Sequence, residues 1–292
     1  ELAALYDAGV RGQPAALPPL AVQYGDHAAW ERAWLQGEAL DAELGWWRGA
    51  LAGAPAVIKL PADRPRPAAQ SYRGDTRRVR FSPALSAALR KMGSQASATP
   101  FMTLLAGFKA LLHRWGAGDD LVVGTHVANR DRVEVERLVG CFVNALVLRT
   151  DLSGDPTFAE LLGRVRDTSL GAFAHAHLPF ERLVEELQPE RDLRLSPLYQ
   201  VSFDFLRVAP DTGAGPGLLS QSPTAKFDLE VTALEVEDEF ELHVAFSTDL
   251  FDASTVERML RHLEALLAAA AADPKRRLSA LPLLDAAERA RL

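Results

Sequence analysis

The chain has 292 residues, of which 48% are hydrophobic, so it is long enough to bury one large core or two lobes. No run of 18 apolar residues and no charged-then-apolar leader occurs, which predicts a cytoplasmic protein without a membrane partner. The net charge of −7, from 32 basic and 39 acidic residues, disfavours nucleic acid as a partner, because phosphate binding depends on clustered Lys and Arg.

Cys141 is the single cysteine of the chain, which rules out an internal disulfide and a thiolate metal cluster. It lies in an apolar run that predicts a strand, so we expect a buried, inert thiol. The chain begins at Glu1 without Met, and we therefore expect it to be a piece of a longer protein.

Two proline-containing stretches divide the N-terminal part of the chain. They are GQPAALPPL from Gly12 and LPADRPRPAAQSYRGD from Leu60, and they predict surface connections, because proline continues neither a helix nor a central strand. A short helix, ELAALYDA, precedes the first stretch, and the residues between the two stretches, from Gln23, predict helix. The tryptophans of this region are expected in core packing rather than in ligand contact; they are Trp30, Trp34, Trp46 and Trp47.

Helix signals recur in the rest of the chain. Ser82 and Thr99 each precede a proline and an amphipathic run, which predicts that they are the N-caps of two helices. The predicted starts of the later helices are Asp155, Phe180 and Ser254, the last with Glu257 in a capping box. Each of these helices has one apolar stripe and must pack against another element.

Strand signals alternate with these helices. They are LVVGTHV from Leu121, CFVNALVLRTDL from Cys141, LYQVSFDFLRV from Leu198, and a hairpin of FDLEVTALEV and FELHVAFST that turns between Glu237 and Glu239. Helices alternating with strands predict an α/β fold, or an α+β layered one.

The residues do not form a self-contained active site by spacing. His175 and His177 are too close together to hold a metal without Cys or carboxylate partners, so no metal site is expected. His113 and His262 fall on helix faces among Arg and Leu, which favours a solvated or hydrogen-bonded role. Neither a Gly-x-Ser-x-Gly elbow nor a Walker loop is present.

Four segments of the chain occur together in an informative order. They are YGDHAAW from Tyr24, NRDRVEVERLVGCFVNALVLR from Asn129, HAHLPFERLVEEL from His175 and RDLRLSPLYQVSFDF from Arg191. This set resembles the condensation domains of nonribosomal peptide synthetases. The catalytic motif of that family, His-His-x-x-x-Asp-Gly, does not occur, and the first helix resembles the helix that follows it. The chain is therefore expected to be a condensation domain cut just after its active-site histidines, with its catalytic residues upstream of Glu1.

The resemblance implies a chloramphenicol acetyltransferase-like lobe with a mixed sheet packed by helices. On this basis, residues 1–60 are expected to be a remnant of the N-terminal lobe and connecting helices. Residues 61–280 are expected to form the C-terminal condensation lobe, and residues 281–292 a linker toward an adenylation domain.

The resemblance also implies an acyl or peptidyl transferase that forms an amide between a donor thioester and an acceptor aminoacyl amine. The phosphopantetheine arms of donor and acceptor peptidyl carrier proteins bring both substrates, and no cofactor is expected to bind the chain directly. These residues alone are expected to be inactive, because the histidine motif is missing. Two alternatives stay open: a non-catalytic platform that docks carrier proteins or tailoring enzymes, and a cyclisation or epimerisation sister domain.

The resemblance assigns roles to a few residues. Arg130 matches an arginine that is implied to pair with the Asp of the missing motif, since a guanidinium grips a carboxylate bidentately; a solvent-exposed loop arginine beside Asp131 is the alternative. Asn144 interrupts an apolar strand, so it either lines the substrate tunnel or satisfies a sheet edge. Ser202 and Asp204 share one face of their strand and are further tunnel-lining candidates.

Overall fold

The structure is a computed structural model of the chain, and it describes residues 1–189, 192, 194–208, 223–284 and 288. The helices are α1 (Leu2–Val10), α2 (Tyr24–Trp34), α3 (Gly37–Leu51), α4 (Pro83–Gln95), α5 (Pro100–Arg114), α6 (Phe158–Ala174), α7 (Phe180–Leu187) and α8 (Ala253–Ala272). The strands are β1 (Gly74–Arg80), β2 (Asp120–Val127), β3 (Asn144–Asp151), β4 (Val201–Arg207), β5 (Leu229–Val236) and β6 (Glu239–Ser247). The chain divides into a smaller unit, Glu1–Ala42 with Ala128–Val143, and a larger unit formed by the rest.

The larger unit is built on a mixed sheet, whose described strands are ordered β1-β6-β5-β4-β2-β3. Strands β2, β4 and β5 run parallel, whereas β1 and β6, β5 and β6, and β2 and β3 pair antiparallel. Strand β4 pairs with β5 along its whole length, but β2 and β4 are in register only where Gly124 lies opposite Ser202. The predicted mixed sheet packed by helices is confirmed.

One face of this sheet is apolar and buried beneath helices. Alternate residues of β6, from Phe240 to Phe246, are at most 2% exposed, as the two-residue period of a half-buried strand requires. Helix α5 is buried at every position from Met102 to Leu112, and it contacts α4, α6 and α8. This pattern makes α5 the central helix of the layer that covers the sheet.

Several local predictions are confirmed. The β5–β6 hairpin turns at Glu237 and Asp238, whose φ angles of 48° and 66° give the two left-handed residues that a tight hairpin turn of this hand requires. Ser82 Oγ accepts from the backbone N–H of Leu85, and Thr99 Oγ1 accepts from that of Met102, so both act as N-caps.

Other boundaries differ from the predictions. Strand β1 was not predicted, and its first two residues belong to the segment from Leu60 that was expected to be a surface connection. The single helix predicted from Gln23 is divided into α2 and α3. Helix α8 begins at Ala253, and the predicted capping box of Ser254 and Glu257 is wrong. The carboxylate of Asp63 instead accepts from the backbone N–H of Asp252 and from the hydroxyl of Thr255, so a distant loop caps this helix. Helix α6 begins later than predicted, after a capping box of Thr157 and Glu160.

The expectation that Cys141 is buried in a strand is wrong. Strand β3 begins only at Asn144, and Cys141 is an exposed free cysteine. Its neighbour Phe142 is buried with Val135 and Leu138, and these residues form the small apolar core of the smaller unit. The apolar residues before Asn144 therefore belong to a loop, in which Phe142 packs into this core and Cys141 faces solvent.

The tryptophans divide between two environments. Trp47 is 1% exposed and is a core residue as predicted, and its indole N–H donates to the carbonyl of His175 at 3.0 Å. Trp34 is 37% exposed, so its predicted core position is wrong; it stacks on Trp30 with ring centroids 5.8 Å apart.

Candidate functional site

Arg130 organises the loop that joins β2 to β3 in the smaller unit. Its Nη1 donates to the carbonyl oxygens of Val135 at 2.5 Å and Leu138 at 2.9 Å, and its guanidinium lies 4.1 Å from the ring centroid of Phe142. Among the described residues, Nη2 donates to the carbonyl of Gly140 alone, at 3.5 Å, so it retains capacity to donate elsewhere. The geometry thus gives Arg130 a structural role in its own loop and leaves part of the guanidinium for a further acceptor.

The same loop is held against the start of α2. The Tyr24 hydroxyl donates to the carbonyl of Cys141 at 2.8 Å, and the rings of Tyr24 and Phe142 meet edge to face at 5.1 Å. A Cβ at Gly140 would lie 2.3 Å from the Tyr24 ring, so the close approach requires glycine. Two of the four sequence segments, those from Tyr24 and from Asn129, therefore pack together.

Asn144 joins the start of β3 to the turn before α7. Its Nδ2 donates to the carbonyls of Ala176 and Leu178, both at 2.8 Å, and its Oδ1 accepts from the backbone N–H groups of Phe180 and Ala145, both at 3.0 Å. These four bonds use the full hydrogen-bonding capacity usually available to an amide. Of the two roles predicted for Asn144, the satisfaction of nearby backbone is the one these contacts support.

His175 has a packing role at the end of α6. Its ring stacks on Trp46 with centroids 4.4 Å apart, and its Nδ1 lies 3.1 Å from the Glu43 carboxylate. Among the described residues, no group of three His, Cys, Asp or Glu side chains could hold a metal ion.

Asp204 makes several polar contacts with β2. Its carboxylate accepts from the backbone N–H of His126 at 2.8 Å, lies 3.0 Å from His126 Nδ1, and accepts from Thr125 Oγ1 at 3.3 Å. Ser202, which lies two residues earlier on the same face of the strand, is 2% exposed. Two sequence candidates thus lie on one strand, whereas His126, the partner of Asp204 on β2, was not identified from sequence.

The charge around His126 favours its protonated form. Its pKa is raised mainly by the hydrogen bond with Asp204, against the opposing effect of burial; Glu230 raises it further and Lys226 lowers it. Burial, together with the charges of Asp204 and Glu230, raises the pKa of Tyr199, which therefore stays a neutral phenol.

His126 and Asp204 lie at the point where the order of strands in the sheet reverses. The chain leaves β2 for β3 on one side, and leaves β4 for β5 on the other, so the carboxyl ends of β2 and β4 flank a topological switch point. Open sheets with parallel strands bind ligands in the crevice at such a point. We call the residues around it the β2–β4 crevice: Gly124, His126, Tyr199, Ser202, Asp204, Lys226 and Glu230.

Comparison with known proteins identifies the family. The family model described as condensation domain matches residues 1–292. The chain belongs to the condensation-domain family. A linear gramicidin synthase from Brevibacillus parabrevis is 44% identical over 296 residues, covering 99% of this chain and 4% of that synthase. Malpinin synthetase of Mortierella alpina is 41% identical over 295 residues, covering 99% of this chain and 4% of that synthetase.

Solved condensation-domain relatives share the fold. The X-domain in its complex with OxyB from teicoplanin biosynthesis matches with a TM-score of 0.87 and 33% identity, covering 97% of this chain and 65% of that one. A four-domain nonribosomal peptide synthetase bound to AMP and glycine matches with a TM-score of 0.84 and 26% identity, covering 98% of this chain and 23% of that one. The condensation-domain chain thus spans a small part of the synthetases it resembles and about two thirds of the X-domain chain.

The family assignment confirms the resemblance found in the sequence and the chloramphenicol acetyltransferase-like fold. Within the described residues of this condensation-domain chain, no helix is both long and apolar enough to cross a bilayer.

Proposed function

We propose that this chain is part of an amide-forming condensation domain in nonribosomal peptide synthesis. The acceptor aminoacyl amine attacks the carbonyl carbon of the donor thioester, the C–N bond forms, the C–S bond breaks, and the donor thiol takes up the proton. Donor and acceptor peptidyl carrier proteins present both groups on phosphopantetheine arms, and a neighbouring adenylation domain is a further partner. The match of the condensation-domain model to residues 1–292 carries this proposal.

Positioning accounts for much of the chemistry in this proposal. A thioester is already activated, and holding the amine and the carbonyl in attack geometry is worth roughly 7–11 kcal/mol in favourable cases. The β2–β4 crevice supplies rigid strand-borne groups for such positioning, with His126 and Asp204 fixed by hydrogen bonds. Ser202 and Asp204 remain our candidates for the tunnel wall, whereas the hydrogen bonds of Asn144 support its structural alternative.

Arg130 connects this chain to the catalytic histidines in the proposal. The residues contain no His-His-x-x-x-Asp-Gly motif, and we assign the Asp of that motif as the acceptor for the donor capacity left on Arg130 Nη2. An ion pair there would fix the histidine loop. Residues 1–60 then belong with the N-terminal lobe, residues 61–280 with the C-terminal lobe, and residues 281–292, of which 281–284 and 288 are described, lead toward the adenylation domain.

Reconstitution tests this function. A protein that joins these residues to a His-His-x-x-x-Asp-Gly segment is incubated with donor-loaded and acceptor-loaded carriers, and the acceptor arm is weighed by mass spectrometry. We expect the amide on the acceptor carrier, and no product from the 292 residues alone or after replacing the second motif histidine by alanine. An amide made by the 292 residues alone would contradict the proposal.

A second candidate function is a docking platform that forms no bond. It is favoured by the TM-score of 0.87 with the X-domain, which was solved in a complex with OxyB. In the same experiment, tight binding of loaded carriers or of a tailoring enzyme without any amide would support the platform. A heterocyclic or epimerised product would instead indicate a sister activity.

A further inference from the structure

We propose that His126 is a positioning residue that donates a hydrogen bond from Nε2 to a carbonyl oxygen of the carrier-bound acyl substrate in the β2–β4 crevice. The inference rests on the proposed function and names a contact within it. It concerns a residue that lies outside the missing histidine motif.

The ring of His126 has a fixed orientation. Its Nδ1 lies 3.0 Å from Asp204 Oδ2, and its own backbone N–H donates to Asp204 Oδ1 at 2.8 Å, so the carboxylate holds both the ring and the backbone. No described residue forms a hydrogen bond with Nε2. The side chain is 38% exposed, and Nε2 is therefore the polar atom left for a ligand.

The crevice beside His126 has an aromatic floor. Strand alternation places Gly124 and His126 on one face of β2, and Ser202 and Asp204 on the same face of β4. The Tyr199 ring packs against Gly124, where a Cβ would lie 2.2 Å from Tyr199 Cε2. Tyr199 is 3% exposed, so it closes this face of the sheet beside Gly124 and leaves His126 as the exposed residue of the set on β2.

The charges of the crevice select the kind of ligand atom. The facing groups are the carboxylates of Asp204 on β4 and Glu230 on β5, the exposed ammonium of Lys226 before β5, and the neutral phenol of Tyr199. With His126 protonated, the two carboxylates balance one ammonium and one imidazolium, so the set has no net charge to attract an ionic ligand. An uncharged carbonyl oxygen satisfies the Nε2 donor without adding charge.

Glu230 does not compete for this role. Its Oε1 accepts from the backbone N–H of Phe227 at 3.3 Å and from that of Lys226, so it stabilises the turn that begins β5. Asp204 is likewise occupied by His126 and Thr125. Among the crevice residues that lie on strands, His126 is the one with an exposed donor, because the Ser202 hydroxyl is buried and Asp204 and Glu230 are carboxylates.

Kinetics at several pH values test the proposal in the reconstituted protein that carries the histidine motif. Only protonated His126 donates from Nε2 while Asp204 holds Nδ1, so kcat/KM should fall as the pH rises through the His126 pKa. His126→Ala should lower kcat/KM by about 10- to 100-fold, the value of a charged hydrogen bond. Asp204→Asn removes the group that raises the pKa, and should move the alkaline fall to lower pH.

Two variants separate positioning from structure. His126→Gln keeps an uncharged donor, and should retain part of the rate while losing the alkaline fall. His113 also pairs with an aspartate, Asp119, at 3.2 Å but lies outside the crevice, and His113→Gln should behave as the unaltered protein. Full activity of His126→Ala, or an unchanged pH profile of Asp204→Asn, would overturn the inference while leaving the proposed function intact.

A binding measurement decides the case if the unaltered protein forms no amide. The histidine resonances of the 292-residue chain are followed by NMR while acyl-aminopantetheine, with an amide in place of the thioester, is added. A carbonyl bound to protonated Nε2 raises the His126 pKa, whereas the probe should leave the His113 resonance unchanged. A His126 resonance that does not respond to the probe would overturn the proposed contact.

Discussion

The ammonium nitrogen of Lys109 on α5 lies 2.7 Å from the hydroxyl oxygen of Thr150 on β3. It also donates to the carbonyl of Leu148 at 2.8 Å, and the residue is 0% exposed. Both acceptors are neutral, and burial lowers the pKa of Lys109 to about 7, with Asp120 acting in the opposite direction.

Lys109 should therefore make stability depend on pH. Between about pH 7 and the ordinary lysine pKa of 10.5, the unfolded chain keeps a proton that the folded chain has lost. The unfolded state then binds more protons, so the free energy of unfolding rises with pH, by at most about 1.4 kcal/mol per pH unit. We expect Lys109→Met to remove this rise in urea unfolding. Lys91→Met, at an exposed position of α4, is the control and should keep it; equal slopes in the two variants would contradict the prediction.

Asn144→Ala should destabilise the larger unit. The change removes the hydrogen bonds to the carbonyls of Ala176 and Leu178 and to the N–H of Phe180, and it leaves backbone groups unpaired. We expect a loss of about 1–3 kcal/mol in the free energy of unfolding. Val143→Ala, at a residue that is 60% exposed, serves as the matched control and should change little.

Arg130→Ala in the reconstituted condensation protein should lower activity or soluble yield. The substitution removes donors to the carbonyls of Val135 and Leu138 and the contact with Phe142, and it removes the proposed partner of the motif Asp. Arg137→Ala, at an exposed position of the same loop, should leave both quantities unchanged. A fully active and equally stable Arg130→Ala protein would remove the role proposed for this residue.

Gly124→Ala should be costly, although alanine is a conservative replacement elsewhere. The new Cβ would lie within 2.4 Å of three atoms of the buried Tyr199 ring, so the ring has to move, at a cost of about 1–3 kcal/mol. Gly163→Ala, in the middle of α6 with open space around it, should instead stabilise the protein by about 0.5–1 kcal/mol. Thermal unfolding of the two variants should therefore shift in opposite directions.

Local patterns allowed the prediction of elements whose determinants are close in sequence. Ser82 and Thr99 cap helices through residues three positions away, and the β5–β6 hairpin follows from two alternating runs around a short turn. Strand β1 was missed because Asp75, Arg77 and Arg80 make its sequence polar; it forms an edge of the sheet, where such side chains reach solvent and pair with carboxylates.

The candidate site was predictable in part. Asp204 could be placed on a strand face with Ser202, but its partner His126 is 78 residues away and became visible only through the parallel pairing of β2 and β4. The start of α8 was predicted wrongly for the same reason. Asp63, which is distant in sequence, accepts hydrogen bonds from the backbone N–H of Asp252 and the hydroxyl of Thr255. Tertiary contacts decide such positions, and no local period encodes them.

Among the described strands, β2 and β4 share a single registered pair, Gly124 and Ser202. This short junction divides the sheet into two parts, β3 with β2 and β4 with the remaining strands. Helix α5 contacts both parts. The Lys109 ammonium donates to a carbonyl of β3, and the ring centroids of Phe108 and of Phe203 on β4 lie 5.6 Å apart. The relative position of these two parts of the sheet, and with it the geometry proposed for the β2–β4 crevice, is therefore set by the side chains of one buried helix. Substitutions in that helix should therefore disturb the proposed contact of His126, although α5 packs on the opposite face of the sheet.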